Sequence, residues 1–368
     1  MLAGIGGLIA IVLFVTAHEA GHFVAAKATG MKATEFFFGF GPRLWSFRRG
    51  ETEYGVKAFP LGGYVKIVGM SALEEVDPAD EARTYRVAPF WKKSVVVLAG
   101  VAANFVIAYL IFFGLALSQG VAVPTPKVGQ VVEELPGGQP APAAEAGLVE
   151  GDRIVAVDGV ATPGWEELQA ALESRPGERV TLLVERGDQR IELLATLAAV
   201  ENPETGEREG KLGFVPAFDR ERGVGIAAVG AADAIRFTVG LTFEVFGNII
   251  RPESLGRLAG GLVGEEVPDE IRPVSLIGIF TLGAQADEIG IGNYIGLLAS
   301  VNVILGTLNA LPLYPLDGGH FAVAVYEKVT GRRADIRKLA PVAAMVIAFV
   351  AFLGLVGLVL DIFDPIDL

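Results

Sequence analysis

The chain contains no cysteine, which excludes disulfides and thiolate metal ligands and leaves the redox compartment open. Histidine is almost as scarce: His18, His22 and His320 are the three in the chain. A metal centre here must therefore rest on these imidazoles and on carboxylates. Charge is thin, at 20% of residues, and biased to the acidic side, with a formal net charge of -13. That sign repels nucleic acid, so no nucleic-acid partner is expected. What fills the 368 positions is apolar, with 52% hydrophobic residues and 47 glycines, and the mean hydropathy is +0.49. Such a composition is too apolar for one soluble domain of this length and points to a membrane protein in contact with the lipid bilayer.

Four stretches reach the roughly 20 residues that cross a bilayer: Leu2 to Ala26, Ser94 to Leu117, Ile291 to Leu313 and Leu339 to Ile362. The first has neither a basic leader nor a small-residue cleavage site, so it is expected to be a retained span. Trp91-Lys92-Lys93 reads as an interfacial anchor ahead of the second. Residues 27–93 carry eleven Lys/Arg against eight Asp/Glu, residues 119–290 carry fourteen against twenty-eight, and residues 314–338 carry five against three. By the positive-inside rule the first and third of these face the cytoplasm, and the acidic region and both termini face outside. The expectation is a multi-pass protein of the plasma (inner) membrane.

Inside the first span stands Thr16-Ala17-His18-Glu19-Ala20-Gly21-His22. A helix turns about 100° per residue, so His18 and His22 stand one turn apart on one face and can share a zinc ion. Glu19 then lies beside the open coordination position, where it can act as a general base. Ionisable groups inside a span are costly and mark function. A third ligand is needed, and the other membrane-proximal cluster of candidates is Asn309-Ala310-Leu311-Pro312-Leu313-Tyr314-Pro315-Leu316-Asp317-Gly318-Gly319-His320. Pro312 and Pro315 break the helix there. Asp317 follows on irregular backbone that can be aimed, with two glycines allowing close approach, and it is preferred to His320 as the ligand. His320 is expected beside the site or in a structural role. Both halves of the site fall near the cytoplasmic side.

Between the first two spans, Glu35 to Phe47 and Thr52 to Ile67 alternate, with many aromatics and Gly-Pro turns, and suggest short strands in a sheet or re-entrant hairpin at the membrane surface. An edge strand there can pair with an extended substrate. Residues 126–198 run strand, helical turn, strand, helix and hairpin, and the string Glu145-Ala146-Gly147-Leu148 followed by Gly151-Asp152-Arg153-Ile154 resembles a single PDZ domain, a peptide-binding module or a steric gate. Residues 224–250 suit an amphipathic helix lying on or against the membrane, although their length would also permit a fifth span. Residues 253–273, rich in glycine, read as a flexible loop.

The whole chain resembles the bacterial site-2 proteases of the RseP-type branch, and especially actinobacterial members: zinc metalloproteases that cut inside the membrane in regulated intramembrane proteolysis. The resemblance rests on His18 to His22 in an amino-terminal span, the distant Asn309 to His320 string, the Gly39-Phe40-Gly41 loop and the interposed PDZ domain. It implies Zn2+ on His18, His22 and Asp317, Glu19 as general base and acid, and substrate binding by Asn309 and the Gly39, Phe40, Gly41 loop; Pro312 and Pro315 of the same string as Asn309 are expected to bind substrate with them. It implies single-span membrane protein substrates, such as anti-sigma factors or remnant signal peptides, trimmed first by a site-1 protease. Two departures stand out. Gly100-Val101-Ala102-Ala103-Asn104 lacks the Gly-Pro that many relatives have before the asparagine, and one PDZ domain is present where some relatives have two.

The expected fold is a polytopic α-helical membrane protein of about four transmembrane helices, with a membrane-associated β-hairpin or sheet and an inserted extracytoplasmic PDZ domain (α+β). Its divisions are 1–118 with the β-rich loop 27–93, the PDZ domain 126–198, an amphipathic helix and linker 199–290, and 291–368. Two other classes compete with the protease. A PDZ-containing membrane scaffold or chaperone with a vestigial metal site predicts that Glu19 is dispensable. A metal or ion transporter predicts further acids inside the spans, and beyond Glu19 the sequence offers almost none.

Overall fold

The computed structural model describes residues 2–70, 74–135, 139–202, 206–285 and 290–365. They divide into two compact units, residues 1–116 with 228–368, and residues 117–227.

In the first unit, α1 (Leu2–Ala28) and α2 (Phe90–Gln119) lie antiparallel. Ala25 and Ala26 pack with Val96 and Val97, and Phe14 packs near Ile107 and Ile111. Small residues set the spacing between them. A Cβ on Gly21 would stand 2.4 Å from the Ala99 carbonyl oxygen, so the backbones touch there, as small residues permit where apolar side chains cannot drive association.

The sequence between α1 and α2 folds as one bent hairpin, β1 (Ala33–Arg49) and β2 (Thr52–Ile67). Repeated register shifts give residues 35–38 neighbours on both sides, residues 53–56 and residues 63–66. The expected short strands are thus segments of two long ones, and Gly63 to Ile67 form an edge.

Within the acidic region lie α4 (Val224–Ile249), α5 (Pro252–Gly261) and α6 (Leu276–Ala284), and after it come α7 (Ile291–Asn309), α8 (Asp317–Thr330) and α9 (Ala340–Phe363). Residues 253–273 are not the loop that their glycines suggested. Most of the first half is α5, because Pro252 suits a first helical turn and Leu258 is fully buried against Val356 and Leu360. Among the described residues five helices are long and apolar enough to cross a membrane by length and composition, and the one added to the four expected spans is Val224–Ile249. Helix α7 is antiparallel to α2: a Cβ on Gly296 would meet Leu115, and one on Gly306 would meet Asn104. After α7 the chain doubles back before α8. Gly318 and Gly319 make this possible, since a Cβ on either would stand 2.1 Å from the Ala310 oxygen or 2.4 Å from the Tyr314 nitrogen.

The second unit is built on an antiparallel sheet. Its strands are β3 (Val121–Val131), β4 (Arg153–Val157), β5 (Arg179–Arg186), β6 (Gln189–Thr196) and β7 (Phe214–Glu221), in the order β7-β3-β4-β5-β6. Helix α3 (Trp165–Glu173) closes it, with Leu168 and Leu172 buried among Val128, Ile154, Val180 and Leu182. The i, i+4 pair of leucines is the face that the sequence marks as apolar. Because β7 pairs with β3, the sheet takes in residues beyond 126–198 on both sides. The carboxylate of Asp152, fully buried, accepts from Arg186 at 2.8 Å through both oxygens and from the Val149 N–H. Burial pushes its pKa up, but these donors outweigh burial and hold it below the ordinary range.

Candidate metal centre

Helix α1 presents His18 and His22 one turn apart, both buried, and the start of α8 brings Asp317 to them. His18 Nε2 lies 3.0 Å and His22 Nε2 lies 3.2 Å from Asp317 Oδ2. The two Nε2 atoms are 3.1 Å apart. His22 donates from Nδ1 to the Val96 carbonyl at 2.8 Å, which leaves its Nε2 as a lone pair. Two imidazole nitrogens and a carboxylate oxygen therefore converge within 3.2 Å of one another, a donor set that suits a divalent cation. Bonds of about 2.0–2.1 Å to a tetrahedral ion place ligand atoms about 3.3 Å from one another, close to the triangle found. The residues fit zinc in both donor type and spacing. Among the described residues His18, His22 and Asp317 form the one cluster of three such donors.

Glu19 follows His18 on the helix and points to the sheet. Its Oε2 accepts from the Val65 N–H at 3.1 Å, and its Cγ would lie 3.6 Å from a Cβ on Gly63. The edge strand thus turns the Val65 peptide N–H toward the carboxylate and passes close to it at Gly63. One oxygen of Glu19 is fixed by this bond.

The remaining expected residues are spread around this core. Asn309 ends α7 half-buried and makes no side-chain hydrogen bond to another described residue. Gly39 and Gly41 both take φ of 86°, which favours glycine, and Phe40 between them stacks on Tyr64 at 6.3 Å between ring centroids. Pro315 follows a cis peptide bond. Pro312 lines a different cavity of about 490 Å³ with Tyr326 and Lys338, and the structure does not bring it to the three ligand atoms. His320 also stands outside the trio, its ring 4.9 Å from that of Tyr314, on a cavity of about 220 Å³ shared with Tyr85 and Lys93.

Two participants carried no signal in the sequence because they act through backbone: the Val96 carbonyl and the Val65 N–H. Gly100 is a third omission. A Cβ there would stand 2.3 Å from His22 Nε2, and the pattern that could have exposed it is the run of small residues from Ala99 to Ala103 facing Gly21.

Comparison with known proteins agrees with this geometry. Residues 6–360 match the model of peptidase family M50. The zinc metalloprotease Rip1 of Mycobacterium bovis is 35% identical over 98% of this chain and 97% of its own. Rip1 of Mycolicibacterium smegmatis is 32% identical over the full length of both. A solved PDZ domain from Listeria monocytogenes is 25% identical over 24% of this chain and 86% of its own, at a TM-score of 0.19 that bears no weight for the fold. The chain belongs to peptidase family M50, the site-2 proteases, and is a zinc metalloprotease of that family.

Proposed function

We propose that His18, His22 and Asp317 hold the zinc and that Glu19 is the general base and acid for cleavage within the transmembrane segment of a single-span protein. The observation that carries this reading is the triangle of ligand atoms, 3.0 to 3.2 Å on a side, with Glu19 beside it. When bound, zinc supplies Lewis acidity toward a peptide carbonyl and lowers the pKa of water. Glu19 takes a proton from the attacking water at its free oxygen and returns it to the leaving amine, while the Val65 N–H holds the carboxylate in place. A helix cannot offer its peptide bonds to such a site, so the substrate must be extended. The edge at Gly63 and Val65 suits an added strand, with Asn309 and the Gly39, Phe40, Gly41 turn beside it. Pro312 and Pro315 shape the turn after α7 rather than touching substrate.

In this reading residues 117–227 are the PDZ domain, on the extracytoplasmic face, and they screen substrates already trimmed by a site-1 protease. Anti-sigma factors and remnant signal peptides are the substrate classes that fit. The metal lies toward the cytoplasmic side. Helix α4 lies along the outer half of the membrane instead of crossing it. Two contacts support this. Near its start the Ala228 carbonyl accepts from Tyr109, in the outer half of α2. At its other end Ile249 packs with Val356 and Leu360, at the outer end of α9. Four spans then remain, and α7 and α1 run in the same direction, as a shared metal site at their inner ends requires.

The test is cleavage of a single-span reporter by the purified full chain, with the cut mapped by mass spectrometry. A cut inside the apolar segment that falls about 10²- to 10⁴-fold in Glu19→Gln, with zinc retained, is expected. Cleavage that survives this substitution contradicts the mechanism and favours the scaffold reading.

A further inference from the structure

Outside the ligand triangle, α1, α2 and α7 bury four side-chain atoms that find no hydrogen-bond partner among the described residues: His18 Nδ1, both amide atoms of Asn104, and Asn302 Oδ1. Both asparagines are completely buried. Polar groups in mid-span cost heavily unless bonded, so their gathering in one place needs a reason. The helices set them at one level. Along the antiparallel pair, Gly21 meets Ala99 and Gly100, and Phe14 lies in one apolar cluster with Ile107 and Ile111. His18, midway between Phe14 and His22, therefore falls level with Asn104. Asn302 is joined to the same place, its Nδ2 donating to the Asn104 backbone oxygen at 2.8 Å.

The donors and acceptors match. If His18 gives its Nε2 lone pair to a metal, its Nδ1 carries the proton and needs an acceptor. Asn104 Oδ1 is such an acceptor. Asn104 Nδ2 then needs one of its own, and Asn302 Oδ1 is available. The existing bond from Asn302 Nδ2 to the Asn104 carbonyl closes the chain. His22 already has the equivalent support from the Val96 carbonyl; His18 is the ligand without it.

We propose that Asn104 and Asn302 are positioning residues for the metal centre. Their carboxamides, directly or across one water, receive the His18 Nδ1 proton and fix both the tautomer and the plane of that imidazole. The inference rests on His18 being a ligand. It differs from a helix-packing role for the same asparagines, which would leave the metal unaffected.

The experiment uses the full chain in detergent, measuring zinc retention against a chromophoric chelator and the 15N spectrum of labelled histidine, which contains three imidazoles. Asn104→Leu is expected to weaken zinc retention about 10- to 100-fold and to move the His18 Nδ1 resonance, whereas Asn104→Asp, which keeps an acceptor, restores retention to within about threefold. Asn302→Leu, one step further out, is expected to weaken retention several-fold with a smaller shift. It also serves if Asn104→Leu does not fold. Unchanged zinc retention and an unchanged His18 resonance in folded Asn104→Leu or Asn302→Leu overturn the proposal, even if both variants melt earlier. A wild-type chain that binds no zinc overturns the ligand assignment and this inference together.

Discussion

The two units handle buried polar groups in opposite ways. In residues 117–227 they are paired: Asp152 is held by Arg186 and the Val149 N–H, and the buried Thr162 hydroxyl donates to the Ile154 carbonyl at 3.5 Å. Among the described residues, every buried side-chain N or O atom without a hydrogen-bond partner lies in the other unit, at His18, Tyr85, Asn104, Arg272, Gln285, Asn302, Asp317 and Asp361. A satisfied polar core specifies one fold and asks for nothing more. An unsatisfied one in an apolar setting marks where something else must bind or react. The contrast is in keeping with the chemistry proposed for the helical unit and the screening proposed for the sheet unit.

The largest test of that contrast is at Gly100. An added Cβ would stand 2.3 Å from His22 Nε2, so Gly100→Ala is expected to lower zinc affinity and cleavage about 10- to 100-fold with the second unit unaltered. Metal analysis and reporter cleavage check it. Equal loss of structure in both units would break the comparison. A core substitution in the second unit should do the reverse. Leu168 is fully buried, and Leu168→Ala is expected to destabilise that unit by about 2–5 kcal/mol, read as early loss of hydrogen-exchange protection in residues 117–227, with zinc content unchanged.

The smallest effect is at the surface of the helical unit. Arg83 and Lys27 pair with Glu51 at 2.7 and 2.6 Å and lower its pKa to about 2. A carboxyl depressed on folding contributes stability above its unfolded pKa, near 4.5, and loses it as pH falls toward 2. Because the pair is partly exposed, Glu51→Gln is expected to cost less than about 1 kcal/mol at neutral pH. The melting difference from wild type should shrink as pH drops from about 4.5 to 2. A difference that grows on acidification would contradict the assignment.

Much of this was legible in the sequence where side chains carry the signal. The spacing of His18 and His22, the lack of cysteine and the position of Asp317 after two prolines pointed to three residues that the structure brings together. The strands between the first two spans were recognisable from their alternation. What escaped has a physical pattern. Val65 and Val96 act through backbone groups, which every residue possesses. The α5 helix hid behind its glycines because a single buried leucine and a leading proline outweigh their low propensity. For α4 the sequence left two readings, lying on the membrane or crossing it as a fifth span, because length and hydropathy are the same for both. The sheet of the second unit reaches to Glu221 because its last strand returns to pair with the first, a long-range choice that local pattern does not specify.

Zinc K-edge X-ray absorption on the purified full chain bears most directly on the centre. Two imidazole nitrogens and one carboxylate oxygen at about 2.0–2.1 Å, with one further light atom and no sulfur, are expected at one zinc per chain. A third imidazole would place His320 in the site in place of Asp317, and absence of stoichiometric zinc would contradict the centre altogether.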